Sequence, residues 1–228
     1  MFSSPHGHLT APGLWEWALS RAQALPGGAL RGDTVEMART AIALVLSVLL
    51  IGAGVSAGAA AADPVCRPGL RAELVAMMAQ DQYEQSPDYT GPWHGPQRTE
   101  RLRRIIARYG WPTFRMVGVD GATAAWVIAQ HSDHDPAFQQ QALELMRAAA
   151  AAGQADPVEL AYLEDRTAVN HGRLQIYGTQ VTCVDGAVAL RPLIDPERVD
   201  ERRASVGLGP LQEYLDSFPD DMCAEAAA

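Results

Sequence analysis

The densest group of residues able to do chemistry is the segment HSDHD at residues 131–135. It places two imidazoles and two carboxylates in a turn between two predicted helices, where they could transfer protons or hold a divalent metal. A purely structural explanation competes: Asp135 before Pro136 is a typical helix N-cap, and His131 at a helix end is stabilised by the helix dipole. Because the sequence offers no evident third distant ligand, we expect no metal site. We take His131 as a candidate general base and Asp133 as a candidate ligand-binding residue.

Asp165 and Arg166 form a second polar pair near the end of a predicted helix. A guanidinium can stabilise negative charge that develops on a reacting group. We therefore take Arg166 as a candidate electrophilic stabiliser and Asp165 as a further candidate catalytic residue. The alternative is a local salt bridge between the two side chains.

The segment QIYGTQ at residues 175–180 leads into a predicted β-hairpin. If it is a strand, its side chains alternate between two faces, and Gln175 and Tyr177 share one of them. Such polar groups can hydrogen-bond a ligand, so Gln175, Tyr177 and Gln180 are candidate ligand-binding residues. The alternative is a strand that faces solvent or packs on a helix. Gly178 indicates a bulge or a close backbone approach.

Apolar residues at helical spacing predict the elements that must position these groups. Five helices are expected at about residues 70–82, 97–109, 120–131, 136–153 and 157–170. The last two follow Asp135 and Asp156, each an expected N-cap before a proline. Further on, apolar residues flank Asp185-Gly186, a pair typical of a type I′ hairpin turn. A final charged helix is expected to be capped by Asp195. We predict a mainly α fold, a bundle of antiparallel helix pairs with one C-terminal β-hairpin.

Charge and composition argue against several classes of protein. The chain carries 18 basic and 27 acidic residues, and its net charge of −9 repels polyanions. Five arginines share one predicted helix with apolar residues, so we expect them to be its solvated outer face rather than a nucleic-acid contact: Arg98, Arg101, Arg103, Arg104 and Arg108. The sequence has no glycine-rich nucleotide-binding motif, and we expect no cofactor. A mean hydropathy of −0.08 argues against a polytopic membrane protein.

The N-terminal part resembles an export signal. An unbroken apolar stretch at residues 41–55 follows Arg39 and precedes small residues, as in a secretory signal peptide, which we predict for residues 37–62. Residues 1–36 would then precede the true start, and residues 63–228 would form one exported domain, secreted or kept in the cell envelope without stable membrane insertion. The alternative is an uncleaved membrane anchor. In that compartment one disulfide can form among Cys66, Cys183 and Cys223, and the spacing leaves the pair open.

Six short motifs stand out by their order and spacing: YGWP at 109–112, VG at 117–118, QHSDHDPAFQ at 130–139, AYLEDR at 161–166, GRLQIYGTQ at 172–180 and RRASVGL at 202–208. Together they resemble the DUF6624 family of bacterial domains from about residue 70 to 215. The resemblance implies a domain without an assigned activity. This chain departs from the family pattern after Asp81-Gln82. The pattern resembles an Asp-Gln pair followed three residues later by arginine, whereas this chain has Gln85 at that position.

Polar motif residues gather around the predicted turns, and we expect them to converge on one cleft: His131, Asp133, Asp165, Arg166, Gln175, Tyr177 and Gln180. Loops on a helical scaffold often present binding groups in this way. The expected function is binding of a small molecule or peptide segment. One alternative is an extracytoplasmic hydrolase with His131 as general base. The other is a non-enzymatic interaction module, which predicts an exposed apolar patch near Trp93 or Trp111.

Overall fold

The computed structural model describes residues 65–86, 88–219 and 221–223. The predicted signal peptide and the residues before it lie outside this part. The described residues form α1 (Pro68–Glu84), α2 (Gly95–Tyr109), α3 (Phe114–Gln130), α4 (Pro136–Ala151), α5 (Pro157–Asn170), β1 (Val181–Val184), β2 (Ala187–Leu190), a 3-10 helix (Pro196–Arg198), α6 (Val199–Val206) and α7 (Leu211–Asp216). The predicted mainly α fold with one C-terminal hairpin is confirmed. Among these helices none combines the length and apolar composition that membrane crossing needs.

Helix α3 is the centre of the fold. Every residue from 124 to 130 in this helix is buried, and a helix buried on all sides belongs inside a core. Helix α1 packs mainly on α3, while α4 packs on α5. The C-terminal end of α3 is therefore surrounded by neighbours that can deliver side chains to the turn after it.

The start of α3 lies earlier than the sequence predicts. Thr113 caps the helix by accepting a hydrogen bond from the Met116 N–H, and a kink follows at Gly118, where φ is 75° and ψ is 173°. A Cβ at position 118 would lie 3.3 Å from Val65 Cγ1. Glycine is required there because the positive φ disfavours other residues. The pair Asp120-Gly121, which predicted the helix start, follows this kink.

Local capping signals were largely correct. Asp135 accepts a hydrogen bond from Phe138 N at 3.0 Å, and Asp156 accepts one from Val158 N at 2.7 Å, so both predicted N-caps are confirmed. Asp195 occupies the position before the 3-10 helix, but its side chain makes no capping hydrogen bond there. The expectation that it caps the last charged helix was wrong.

The hairpin pairs β1 with β2 in an antiparallel register that places Val184 opposite Ala187. Asp185 and Gly186 have φ values of 50° and 78°, the positive values that a type I′ turn needs. A disulfide joins Cys183 of β1 to Cys223 and so ties the C-terminal segment to the hairpin. Cys66 is free and exposed.

Candidate functional site

A buried carboxylate on α1 organises the first of two polar clusters. Asp81 is 2% exposed, and its Oδ2 lies 2.6 Å from His131 Nδ1. Gln85 Nε2 donates to the same oxygen at 2.7 Å, and Arg98 Nη2 donates to Oδ1 at 3.0 Å. These residues, together with Glu84, are called the dyad cluster below. Burial alone would raise the pKa of Asp81, but the charge that His131 carries when protonated, the hydrogen bond from His131 and the charge of Arg98 outweigh it, so this pKa is lowered.

The ionised state of Asp81 decides which nitrogen of His131 carries the proton. A carboxylate can only accept hydrogen bonds, so the short contact requires a proton on Nδ1 of His131. In the neutral ring Nε2 then keeps its lone pair. Within the described part of the chain Nε2 has no hydrogen-bond partner, and a fifth of the side chain (20%) is exposed. In the neutral ring Nε2 is therefore open to accept a hydrogen bond.

Glu84 supports the dyad from one helical turn further along α1. Its carboxylate accepts hydrogen bonds from Arg98 Nη1 at 2.7 Å and from the His94 N–H at 2.8 Å, and it contacts His94 Nδ1 at 2.7 Å. Burial would raise the pKa of Glu84, but these groups lower it to about 2. Arg98 thus bridges two ionised carboxylates, and its position on Asp81 is fixed.

The burial of Arg98 overturns one expectation. It was predicted, with four other arginines, to lie on the solvated face of its helix, but it is 6% exposed. Arg98 lies four residues before Leu102, on the buried side of α2, where it meets the acids of α1. Among the others, Arg104 and Arg108 are exposed and agree with the prediction.

The turn that carries His131 is held on both sides. Ser132 is buried, donates to the Ile128 carbonyl oxygen at 2.7 Å, and contacts Thr99 Oγ1 of α2 at 2.7 Å. Asp135, besides capping α4, forms an ion pair with Arg103. Because these contacts reach both α2 and α4, the direction of the His131 side chain is set by the packed bundle.

The second cluster lies on the other side of the same turn and is called the arginine cluster. Asp133 Oδ1 accepts hydrogen bonds from Gln139 Nε2 at 3.0 Å and from Asn170 Nδ2 at 2.8 Å. The same oxygen lies 3.3 Å from Arg166 Nε, which also contacts the Gln130 carbonyl oxygen at 3.4 Å. Burial lowers the pKa of Arg166, and Asp133 opposes that shift. Since Gln130 directly precedes His131, both clusters meet at this turn.

Asp165 organises the loop after α5. Its carboxylate accepts hydrogen bonds from the backbone N–H of Ile176 at 2.6 Å, of Tyr177 at 3.1 Å and of Thr179 at 3.0 Å, and from Thr179 Oγ1 at 2.9 Å. Burial raises the pKa of Asp165, although these donors partly offset the effect. The expected salt bridge to the adjacent Arg166 is absent among the ion pairs of the described residues, where Arg166 pairs with Asp133.

The loop itself is not the strand that the sequence predicts. Only Gln175 makes an isolated bridge, to Leu193, before β1 begins at Val181. Alternation along a strand therefore does not place Gln175 and Tyr177 on one face. Gly178 has a φ of 70°, and a Cβ there would lie 2.9 Å from Leu211 Cδ1, so the expected close approach is present.

The two glutamines of this loop bind its backbone. Gln175 Nε2 donates to the carbonyl oxygens of Gln180 at 3.0 Å and Arg191 at 2.8 Å, while its Oε1 accepts from the Gln180 N–H at 2.8 Å. Gln180 Nε2 donates to Thr179 Oγ1 at 3.0 Å. The half-buried Tyr177 is held through its backbone by Asp165 and by Arg203, which donates to its carbonyl oxygen. Ligand binding by these three residues stays a prediction.

Sequence reasoning missed the acids and the arginine of the dyad cluster. A signal for Asp81 was present, because it lies seven residues after the buried Leu74 and so on the inner face of α1. A polar residue on the apolar face of a helix needs a buried partner. The family resemblance suggests an arginine at the position of Gln85. The sequence alone does not show that this position lies next to His131.

The described residues contain no group of three or more His, Cys, Asp or Glu side chains able to hold a metal ion. Of the two aromatic residues considered for an exposed patch, Trp93 is 52% exposed and packs edge-on against His134, whereas Trp111 is buried. The expectation of a patch at Trp111 was wrong.

Fold and site together define a helical domain in which a buried aspartate of α1 contacts a partly exposed histidine at the turn between α3 and α4. The chain belongs to the family described as DUF6624, a family of unknown function, whose sequence pattern matches residues 68–225. No match was found among curated proteins or among solved structures.

Proposed function

We propose that this domain binds a small molecule or peptide segment at the turn between α3 and α4 and hydrolyses it with His131 as general base. The observation that carries the proposal is the 2.6 Å contact between His131 Nδ1 and Asp81 Oδ2, with Nε2 left without a partner among the described residues. Enzymes use a histidine oriented by a carboxylate in this way for proton transfer near neutral pH.

In the proposed reaction Nε2 of His131 takes a proton from a water molecule as the water oxygen attacks an acyl carbon. Asp81 is a positioning residue that stabilises the imidazolium so formed. The imidazolium then returns the proton to the departing alcohol or amine, so an ester or amide and water give an acid and an alcohol or amine. Arg166, across the turn, supplies positive charge for a negative group of the ligand.

The electrostatics of the dyad cluster disfavour a mechanism that uses a protonated carboxyl group. The pKa of Asp81 is lowered, and that of Glu84 is about 2, so both acids are ionised near neutral pH. A pair of carboxyls for glycoside hydrolysis needs one member with a raised pKa. The two acids therefore serve as partners of His131 and Arg98 rather than as proton donors.

Hydrolysis of p-nitrophenyl acetate tests the proposal directly. The assay should use a Cys66→Ser background, because the exposed thiol of Cys66 can itself react with this ester. We expect His131→Gln to lower the rate at least about 100-fold, the lower end of a general-base contribution. His134→Gln is the matched control in the same turn and should retain the rate. Equal rates for the His131 variant and the parent protein would refute general-base catalysis.

A second candidate is a non-enzymatic interaction module. It is favoured by the exposure of Trp93 and Tyr83 near the dyad cluster, since exposed aromatic residues often mark binding surfaces. Full retention of esterase rate in His131→Gln, together with a change in Trp93 fluorescence on adding a peptide, would favour this alternative over the enzyme.

A further inference from the structure

Arg166 is a buried charged group whose hydrogen bond and ion pair within the described residues use a single nitrogen. Its side chain is 4% exposed, yet its contacts with Gln130 and Asp133 both use Nε. Among the residues that the structure describes, neither Nη nitrogen makes a hydrogen bond. This guanidinium is almost wholly enclosed by protein, yet its Nη nitrogens are not among the fully buried atoms without a partner, so an acceptor from outside the chain can reach them.

Asp133 offsets the charge of Arg166, but at a longer distance than its other hydrogen-bond contacts. Its Oδ1 is shared with the closer donors of Gln139 and Asn170, at 3.0 Å and 2.8 Å, whereas Arg166 Nε lies at 3.3 Å. Burial lowers the pKa of Arg166, and the nearby charge of Arg191 adds to that effect against the opposing charge of Asp133. An added negative group would therefore be stabilised beside Arg166.

Three other polar atoms on the same two helices are buried without a partner among the described residues. Trp126 Nε1 and Gln130 Oε1 on α3 and Thr167 Oγ1 on α5 are buried and have no hydrogen-bond partner in the described chain. Trp126 and Gln130 are four residues apart and share one side of α3, while Thr167 follows Arg166. The indole and hydroxyl groups can donate to an oxyanion, whereas the Gln130 oxygen can only accept a hydrogen bond.

We propose that the substrate carries a carboxylate and that Arg166 binds it through its two Nη nitrogens. The position of the bond to be cleaved, near His131, rests on the proposed function, but binding of the carboxylate does not. A planar guanidinium fork matches a carboxylate with two parallel hydrogen bonds. A carboxylate is favoured over a phosphate dianion because Asp133, already beside Arg166, repels a second negative charge more strongly.

Isothermal titration with three probes tests this proposal: N-acetylalanine, its neutral amide and inorganic phosphate. We expect saturable binding of N-acetylalanine, and binding of the amide at least about tenfold weaker, since a charge-assisted bidentate pair is lost. Arg166→Lys keeps the charge but not the fork and should also bind at least about tenfold more weakly. Arg147→Lys, an exposed arginine on α4, is the matched control. The comparison of N-acetylalanine with its amide uses the parent protein alone, so it tests the proposal even if Arg166→Lys does not fold.

Equal affinity for acid and amide, tighter binding of phosphate, or no saturable binding of N-acetylalanine would each overturn the carboxylate proposal. His131→Gln separates it from the proposed function. Carboxylate binding with a His131-independent esterase rate would overturn the hydrolase alone. A His131-dependent rate without carboxylate binding would overturn the role of Arg166 alone.

Discussion

Replacing Arg98 with methionine should be among the most destabilising single changes in this protein. The substitution keeps much of the volume but leaves Asp81 and Glu84 buried without their shared guanidinium, 3.0 Å and 2.7 Å away. Removing one partner of a buried ion pair costs about 3–5 kcal/mol, because an uncompensated charge remains. A domain of ordinary stability, about 5–15 kcal/mol, would remain folded or nearly so.

The pH dependence of this loss identifies its cause. The pKa values of Glu84 and Asp81 are lowered in the folded protein, that of Glu84 to about 2, so both contribute stability above their unfolded pKa values. That contribution disappears as the pH falls from about 4.5 to 2 in the parent protein. The Arg98→Met variant has less of this stability to lose. The difference in free energy of unfolding between the parent protein and the variant should therefore shrink over this pH range.

Urea unfolding at about pH 7 and at about pH 3 provides the measurement. The control is Arg101→Met on the same helix, whose ion pair with Glu73 has both side chains more than a third exposed and should contribute less than about 1 kcal/mol. A loss for Arg98→Met no larger than that for Arg101→Met, or a loss that stays constant as the pH falls, would refute the reasoning.

Two further predictions concern the C-terminal part of the fold. Reducing the Cys183–Cys223 disulfide, whose cysteines are 40 residues apart, should lower the free energy of unfolding by about 4 kcal/mol, measured by urea unfolding with and without reductant. An unchanged urea midpoint after reduction would show that the link to Cys223 does not stabilise the fold. Asp165→Asn replaces one carboxylate oxygen, which accepts hydrogen bonds from Thr179, with an amide group that donates. We expect the free energy of unfolding to fall by about 2 kcal/mol or more and hydrogen exchange at the Thr179 amide to become faster. Asp195→Asn, without a capping bond, is its control, and equal losses would contradict the anchoring role.

The elements could be predicted because their signals are local. Asp135 and Asp156 act on N–H groups two or three residues away, and the turn at Asp185-Gly186 depends on its own φ values. Each of these features follows from residue types within one helical turn or one hairpin. The start of α3 was misplaced because the kink at Gly118 separates the first turn of the helix from the Asp120-Gly121 pair on which the prediction relied.

The site could be predicted only in part, since its partners are distant in the chain. His131 was found from the density of its motif, but Asp81 is 50 residues away and contacts it only after α1 packs on α3. The loop at 175–180 has the alternation of a strand, yet Asp165 binds its N–H groups and prevents pairing. Polar residues whose partners come from other elements cannot be assigned from spacing alone.

The most direct test of the account is the protonation of the His131 ring in solution. Nitrogen-15 NMR of histidine-labelled protein at about pH 8, where an ordinary imidazole is neutral, distinguishes the two tautomers. We expect a proton on Nδ1 and none on Nε2 of His131, and we expect this preference to weaken in Asp81→Leu. A proton on Nε2 in the parent protein, or an unchanged tautomer in Asp81→Leu, would contradict the claim that Asp81 holds His131 as a general base.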